Sequence, residues 1–310
     1  MYHYQLFQLK VASCFPIKGM PESLPSNPPD VIIKAGNITP PPKNQPDTIY
    51  KPASIVNQEI YYLEIADIAR YQINGKQEVI IDIAEGSTEK DAMAFFFDTI
   101  LTVLLIKHQQ FVFHASAVKG KEGAILICAP AGGGKSTLAT VLLNQGFELI
   151  EDDRCLLHWD DIRQQLMIRN YLPFLDLWRD LSNAAEKNER LQPLYQIRDN
   201  IQKIRYDASA ITVKKAVPVH KIFLITMDNQ VDRIEQTQIR GIAKVQTAKN
   251  FIHLDHLIPF ISNPTSHFQY LAKLVMQVPV FRVSRSRLTS LNDFSTHIIK
   301  EIGMEAVAFA

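Results

Sequence analysis

The segment from Ala124 to Asp153 constrains this chain more than any other. Ala124-Ile125-Leu126-Ile127-Cys128 is an apolar run of strand character, Ala129-Pro130-Ala131-Gly132-Gly133-Gly134-Lys135-Ser136-Thr137 follows, and Leu138 to Asn144 reads as a helix. Strand, glycine-rich turn, Gly-Lys-Ser and helix together make a phosphate cradle. Backbone N–H groups of the turn and of the helix start face an anion, the lysine reaches the outer phosphates, and the serine hydroxyl sits on magnesium. The G-x-x-x-x-G-K-S pattern carries Ala129 at its first glycine, with surplus glycines at Gly132 and Gly133. The expectation is an α/β fold with a nucleotide loop at Ala131, Gly132, Gly133, Gly134, Lys135, Ser136 and Thr137. The competing reading is an ordinary strand–turn–helix with a chance Gly-Lys-Ser.

Phe147-Glu148-Leu149-Ile150-Glu151-Asp152-Asp153 begins just after Gly146, a helix C-cap residue, and reads as a strand ending in acid. Two adjacent carboxylates next to a phosphate loop suit phosphoryl transfer to a hydroxyl: one holds magnesium through water, the other takes the acceptor's proton. The plainer alternative is a solvated acidic turn. Upstream, Phe111 to Val118 and the turn Lys119 to Gly123 read as a hairpin into the loop strand, with His114 one strand from the phosphates. A lone strand histidine also fits a satisfied core position, so both readings of His114 stand.

His114-Ala115-Ser116-Ala117-Val118, the loop ending Gly134-Lys135-Ser136-Thr137, and Asp152-Asp153 after a short helix resemble the catalytic domain of HPr kinase/phosphorylase. The closer resemblance is to the shorter HPr-kinase-like proteins of peptide-modification gene clusters, including lasso-peptide kinases. It runs from about Ala92 to the C-terminus and is sharpest between Phe111 and Asp153. The resemblance implies a P-loop kinase core of the HPr kinase C-terminal, phosphoenolpyruvate-carboxykinase-like type, with ATP and Mg2+ as cofactors. It implies Asp152 as the base toward the acceptor hydroxyl, His114 as the residue that tunes or orients Asp152, and Asp153 with Ser136 on the metal side. Lys135 would then stabilise the transferring phosphoryl group. Leu166-Met167-Ile168-Arg169-Asn170 falls where the family carries Leu-Glu-Ile-Arg-Gly, which implies Arg169 as a phosphate contact. Met167 replaces the glutamate and Asn170 the glycine. There is no counterpart of the family's Pro-Gly-Arg-Asn loop, so phosphorylase activity and HPr itself as substrate are not implied. The expected enzyme is a phosphotransferase that moves the γ-phosphate of ATP to a serine hydroxyl of a peptide or small protein, such as a lasso-peptide precursor. The alternatives are a small-metabolite kinase and a nucleotide-binding switch with slow ATPase activity.

Other candidates stay open. Lys203-Ile204-Arg205 fits either a clamp on the γ-phosphate or a charged solvent face. Arg282, Arg285 and Arg287 fit an anionic pocket less well than a salt-bridged surface. His253 and His256 flank Asp255 but lack a third spaced ligand, so no metal site is expected there. Helices are expected at Ile234 to Ala248, Phe268 to Met276 and Leu291 to Ile302.

Residues 1–90 read as a β-rich accessory or substrate-binding domain, and 91–310 as the HPr-kinase-like catalytic domain. Gln5 to Cys14 alternates as a strand, Pro40 to Pro52 is an extended loop, and Asn74-Gly75 marks a hairpin. Ala92 to Ile106 is apolar with Asp98 inside it, which suits a buried helix and is too short for a bilayer span. Lys and Arg number 33 against 32 Asp and Glu, without a sustained basic patch, so a nucleic-acid partner is not expected. The three cysteines lack metal spacing and fit reduced thiols, and Met1 to Phe7 lacks a secretory layout. A cytoplasmic protein is expected, with a peptide or small protein as partner, no membrane partner, and a homo-oligomer left open.

Overall fold

The computed structural model describes residues 1–25, 28–42, 48–51, 53–130, 132–179, 188–198 and 201–302. It is a mixed α/β structure of several sheets and a few helices. The chain forms two compact units. The first holds residues 1–110, 197–201 and 254–267, and the second holds 111–196, 202–253 and 268 onward.

The first unit is built on eight strands: β1 (Tyr2–Leu6), β2 (Leu9–Ser13), β3 (Val31–Ala35), β4 (Ile49–Lys51), β5 (Ser54–Val56), β6 (Ile60–Ile65), β7 (Ala69–Asn74) and β8 (Glu78–Ile83). Their order is β1-β2-β3-β8-β7-β6-β5-β4. Strict alternation in β7 buries Ala69, Tyr71 and Ile73 on one face, as period-two patterning requires. The Asn74-Gly75 turn joins β7 to β8 as expected. Gln5 to Cys14 is not one strand but two: Phe7 takes a left-handed φ of 54°, and the chain reverses so that Leu6 pairs with Leu9. The apolar stretch after β8 is helical but interrupted. Helices α1 (Glu89–Phe95) and α2 (Leu101–Lys107) flank one wide turn at Phe96–Ile100. The Tyr71 hydroxyl donates to the Ala92 carbonyl at 2.8 Å, which ties α1 to β7 within this unit.

The second unit carries the glycine-rich loop. Its strands are β9 (Phe111–Phe113), β10 (Ser116–Lys119), β11 (Ala124–Cys128), β12 (Glu148–Asp152), β13 (Cys155–Asp160), β14 (Gln165–Ile168), β15 (Phe174–Trp178), β16 (Gln192–Arg198), β17 (Ile201–Asp207), β18 (Val217–Met227), β19 (Glu235–Ile239) and β20 (Val280–Arg285). Helix α3 (Lys135–Asn144) follows the loop, and α4 (Gly241–Lys249) follows β19. Strands β11, β18 and β20 run parallel, so their C-terminal ends share one edge. Strand β10 lies antiparallel between β11 and β12, with Ser116 opposite Ile127 on one side and Asp152 on the other. The loop strand and the acidic strand are therefore parallel and end at the same edge.

Helix α3 buries Leu138 and Leu142 against Ile125, Ile127 and Phe223 of the sheet. Leu143 instead joins Leu175, Leu177 and Tyr206 of the small sheet ordered β15-β17-β16. The expected hairpin into the loop strand forms, with β10 antiparallel to β11, but Phe111 to Val118 is not one strand: it parts at His114-Ala115, and β9 pairs with β13. The helix expected over Ile234 to Ala248 is strand β19 followed by α4, since Glu235 to Ile239 pair with β20. Among the described residues no helix is long and apolar enough to cross a membrane.

Candidate active site

The turn between β11 and α3 departs from ordinary backbone. Gly134 has a φ of 88°, and a Cβ on Gly133 would stand 2.8 Å from the Cβ of Ala129. A side chain fits neither position without strain or clash. Gly134 offers no side chain to cap α3, so the first N–H groups of that helix open onto the loop. Such a helix start is suited to an anion. Ala131, expected in this loop, lies outside the described residues. Ser136 and Thr137 stand on the first turn of α3 and are partly exposed.

The lysine and the two aspartates meet here. Lys135 Nζ lies 3.5 Å from Asp152 Oδ1 and 3.7 Å from Asp153 Oδ1, with its side chain 11% exposed. Burial works against the ammonium charge, but the two carboxylates outweigh it and raise the Lys135 pKa. Asp153 occupies the reversal between β12 and β13 with a left-handed φ of 69°. Its carboxylate meets Arg154 Nη1 at 3.2 Å and His114 Nε2 at 3.3 Å. Burial alone would raise its pKa, yet Arg154, Lys135 and His114 hold it far below the usual carboxylate range.

His114 sits where β9 gives way to β10, and its own N–H donates to the Phe251 carbonyl at 2.7 Å. Its ring meets the Asp153 carboxylate, not the Asp152 it was expected to orient. Ser116, two residues on, is the one that reaches Asp152. Burial lowers the His114 pKa against the pull of Asp153.

Three neighbours were given no role in this site by the sequence. The buried Ser116 hydroxyl donates to Asp152 Oδ1 and accepts from Lys135 Nζ at 3.4 Å. The other oxygen of Asp152 has no hydrogen-bond partner among the described residues. His253 stacks on His114 with ring centroids 5.1 Å apart, and burial, with Arg154 adding to it, pushes its pKa down to about 3. Glu151, on the strand face opposite Asp152, is fully buried. Its Oε2 accepts from the Tyr171 N–H at 2.9 Å and the Leu172 N–H at 3.3 Å, which anchors the segment after β14. Burial pushes the Glu151 pKa up to about 8.

Arg169 is the residue expected to contact phosphate. It is exposed at the end of β14, with its guanidinium 5.3 Å from the Tyr171 ring centroid. Arg205 is no free clamp: it makes two 2.8 Å bonds to Asp176 and lies over the Phe174 ring at 4.7 Å.

No family model matches the chain, and no curated protein sequence matches it. Among solved structures, the HPr(Ser) kinase/phosphatase from Coxiella burnetii is similar at 16% identity and a TM-score of 0.33. That similarity covers 62% of this chain and 99% of that one.

Proposed function

We propose that this chain is an ATP-dependent kinase of the HPr-kinase-like type, with a serine hydroxyl of a peptide or small protein as acceptor. One observation carries the reading: Lys135, at the start of a helix whose N–H groups open onto a left-handed glycine, is flanked by two carboxylates within 3.7 Å. A helix start with an adjacent lysine holds a phosphate chain, and the carboxylates supply what transfer to a hydroxyl requires.

The donor set fits magnesium. Ser136, Asp152 and Asp153 offer only oxygen, and the described residues contain no cluster of three or more His, Cys, Asp or Glu that would form a protein cage. Magnesium characteristically binds one or two carboxylates and completes its shell with water and substrate phosphate. When bound, the ion neutralises charge on the phosphates. Asp153, kept ionised by Arg154 and Lys135, is the carboxylate on that side with Ser136. Asp152 is the base: Ser116 and Lys135 engage Oδ1, and Oδ2 is left to accept the acceptor's proton. As Lys135 turns to the phosphates, Ser116 keeps Asp152 in place. Residues 1–90 are proposed to form an accessory domain that contributes none of these groups.

The test is transfer from γ-labelled ATP with magnesium to serine-containing peptides encoded beside the gene, for wild type and Asp152→Asn, with products weighed by mass spectrometry. One phosphate gained on serine, absent with the variant, is the expected result. Phosphate release with no labelled peptide would instead support a metabolite acceptor or a nucleotide switch.

A further inference from the structure

Arg285 ends β20, at the edge where β11 delivers the glycine-rich loop. In parallel sheets, ligands gather at the carboxyl ends of the strands. Its Nη2 lies 3.6 Å from where a Cβ on Gly134 would stand, so the guanidinium borders the residue that opens α3.

Its surroundings differ from those of Arg154 and Arg205, the two arginines buried in this unit. Arg154 has Asp153, and Arg205 has Asp176. Arg285 has no ion pair among the described residues. Its Nε is buried without a hydrogen bond, and Nη1 reaches only the Thr289 carbonyl, at a long 3.5 Å. Asp228, next to it across the strand end, bonds the Arg285 backbone carbonyl through its own N–H. The guanidinium rests over the Phe294 ring at 5.0 Å, and burial lowers its pKa.

The position is fixed from both sides. The strand holds Arg285 through its pairing with Met227. Six residues on, helix α5 (Leu291–Ile302) starts under a serine cap, where Ser290 Oγ accepts from the Asp293 N–H at 3.0 Å. A partly buried cation without a counter-ion is costly, and it is most useful where an anion arrives.

The charges at the loop strengthen this. Lys135 and Arg154 are already matched by Asp152 and Asp153. A phosphate chain entering there brings further negative charge close to two carboxylates. A planar guanidinium makes paired hydrogen bonds to phosphate oxygens that an ammonium does not.

We propose that Arg285 is a second cationic contact to the phosphate chain of the bound nucleotide, reaching it beside Gly134. This rests on the reading of the loop as a nucleotide site, and it adds a residue from β20 to that site.

The experiment is calorimetric titration of the full chain with ATP across a series of salt concentrations, for wild type, Arg285→Met and Arg285→Lys. Methionine keeps apolar packing on Phe294 and removes the charge. At low salt Arg285→Met is expected to bind ATP about tenfold or more weakly. The gap to wild type should narrow as salt rises, and Arg285→Lys should recover part of the loss. Equal ATP affinity for wild type and Arg285→Met overturns the inference and leaves the nucleotide reading intact. A loss of the same size at every salt concentration, with no recovery by lysine, also overturns it, because that is a packing effect. If wild type itself binds no ATP, the nucleotide reading falls and this inference falls with it. Should Arg285→Met fail to fold, Arg285→Gln carries the same comparison.

Discussion

The Ser116 hydroxyl donates to the Asp152 carboxylate while accepting from Lys135 Nζ at 3.4 Å, so one buried side chain links the proposed base to the loop lysine. Ser116→Ala removes the donor and leaves Asp152 Oδ1 with the lysine alone. The loop N–H groups and α3 are untouched. Turnover is expected to fall about tenfold or more, with nucleotide affinity nearly unchanged. Steady-state kinetics alongside ATP titration separate the two quantities. A parallel loss of affinity would show that Ser116 shapes the loop rather than the carboxylate.

The two aspartates are expected to fail differently. Asp152→Asn removes the proton acceptor, so transfer should be lost while nucleotide still binds. Asp153→Asn removes the carboxylate assigned to the metal side and leaves Arg154 and His114 without their anion. It should raise the magnesium concentration needed for half-maximal activity. Magnesium titrations of both variants decide the assignment: an unchanged magnesium requirement in Asp153→Asn, together with lost transfer, would exchange the two roles.

The placement of the loop and of the aspartate pair was legible because both lie in one short stretch of chain. Gly134-Lys135-Ser136 must sit at a strand-to-helix turn, and Asp152-Asp153 stand at the end of the next strand that α3 feeds. Ser116 was not legible, because its role depends on β10 lying between β11 and β12, a pairing that spans 36 residues. His253 arrives beside His114 because Ile252 bridges Phe113 and the His253 N–H donates to the Val112 carbonyl, neither of which leaves a pattern in the chain. Arg205 stayed open between two readings for the same reason: its basic stretch looks free until β15 brings Asp176 alongside. The reversal at Phe7 was hidden because it uses no glycine or asparagine at the left-handed position.

His253 gives the fold an acid sensitivity. Its folded pKa is about 3 against an ordinary 6.5, so between those values the unfolded chain holds a proton that the folded chain refuses. Stability therefore falls as pH drops through that window. His253→Gln removes the contribution. The melting temperature of the variant relative to wild type should rise as pH is lowered from 7 to 4.5, followed by calorimetry. A constant difference across that range would mean His253 is readily protonated where it stacks on His114.

Glu151 acts in the opposite sense. Burial raises its folded pKa from 4.5 to about 8, so between these values the folded chain keeps a proton that the unfolded chain releases. By linkage, its contribution to stability declines as pH rises from 4.5 to 8 and then levels off. Glutamine preserves an oxygen for the Tyr171 and Leu172 N–H groups and cannot ionise. Glu151→Gln is therefore expected to gain on wild type over this window, by on the order of a few kcal/mol at its upper end. Urea unfolding at a series of pH values measures the gap. If the two curves run parallel from pH 4.5 to 8, Glu151 ionises freely in the fold, and its charge must be borne by the three backbone N–H groups around it, those of Asp152, Tyr171 and Leu172.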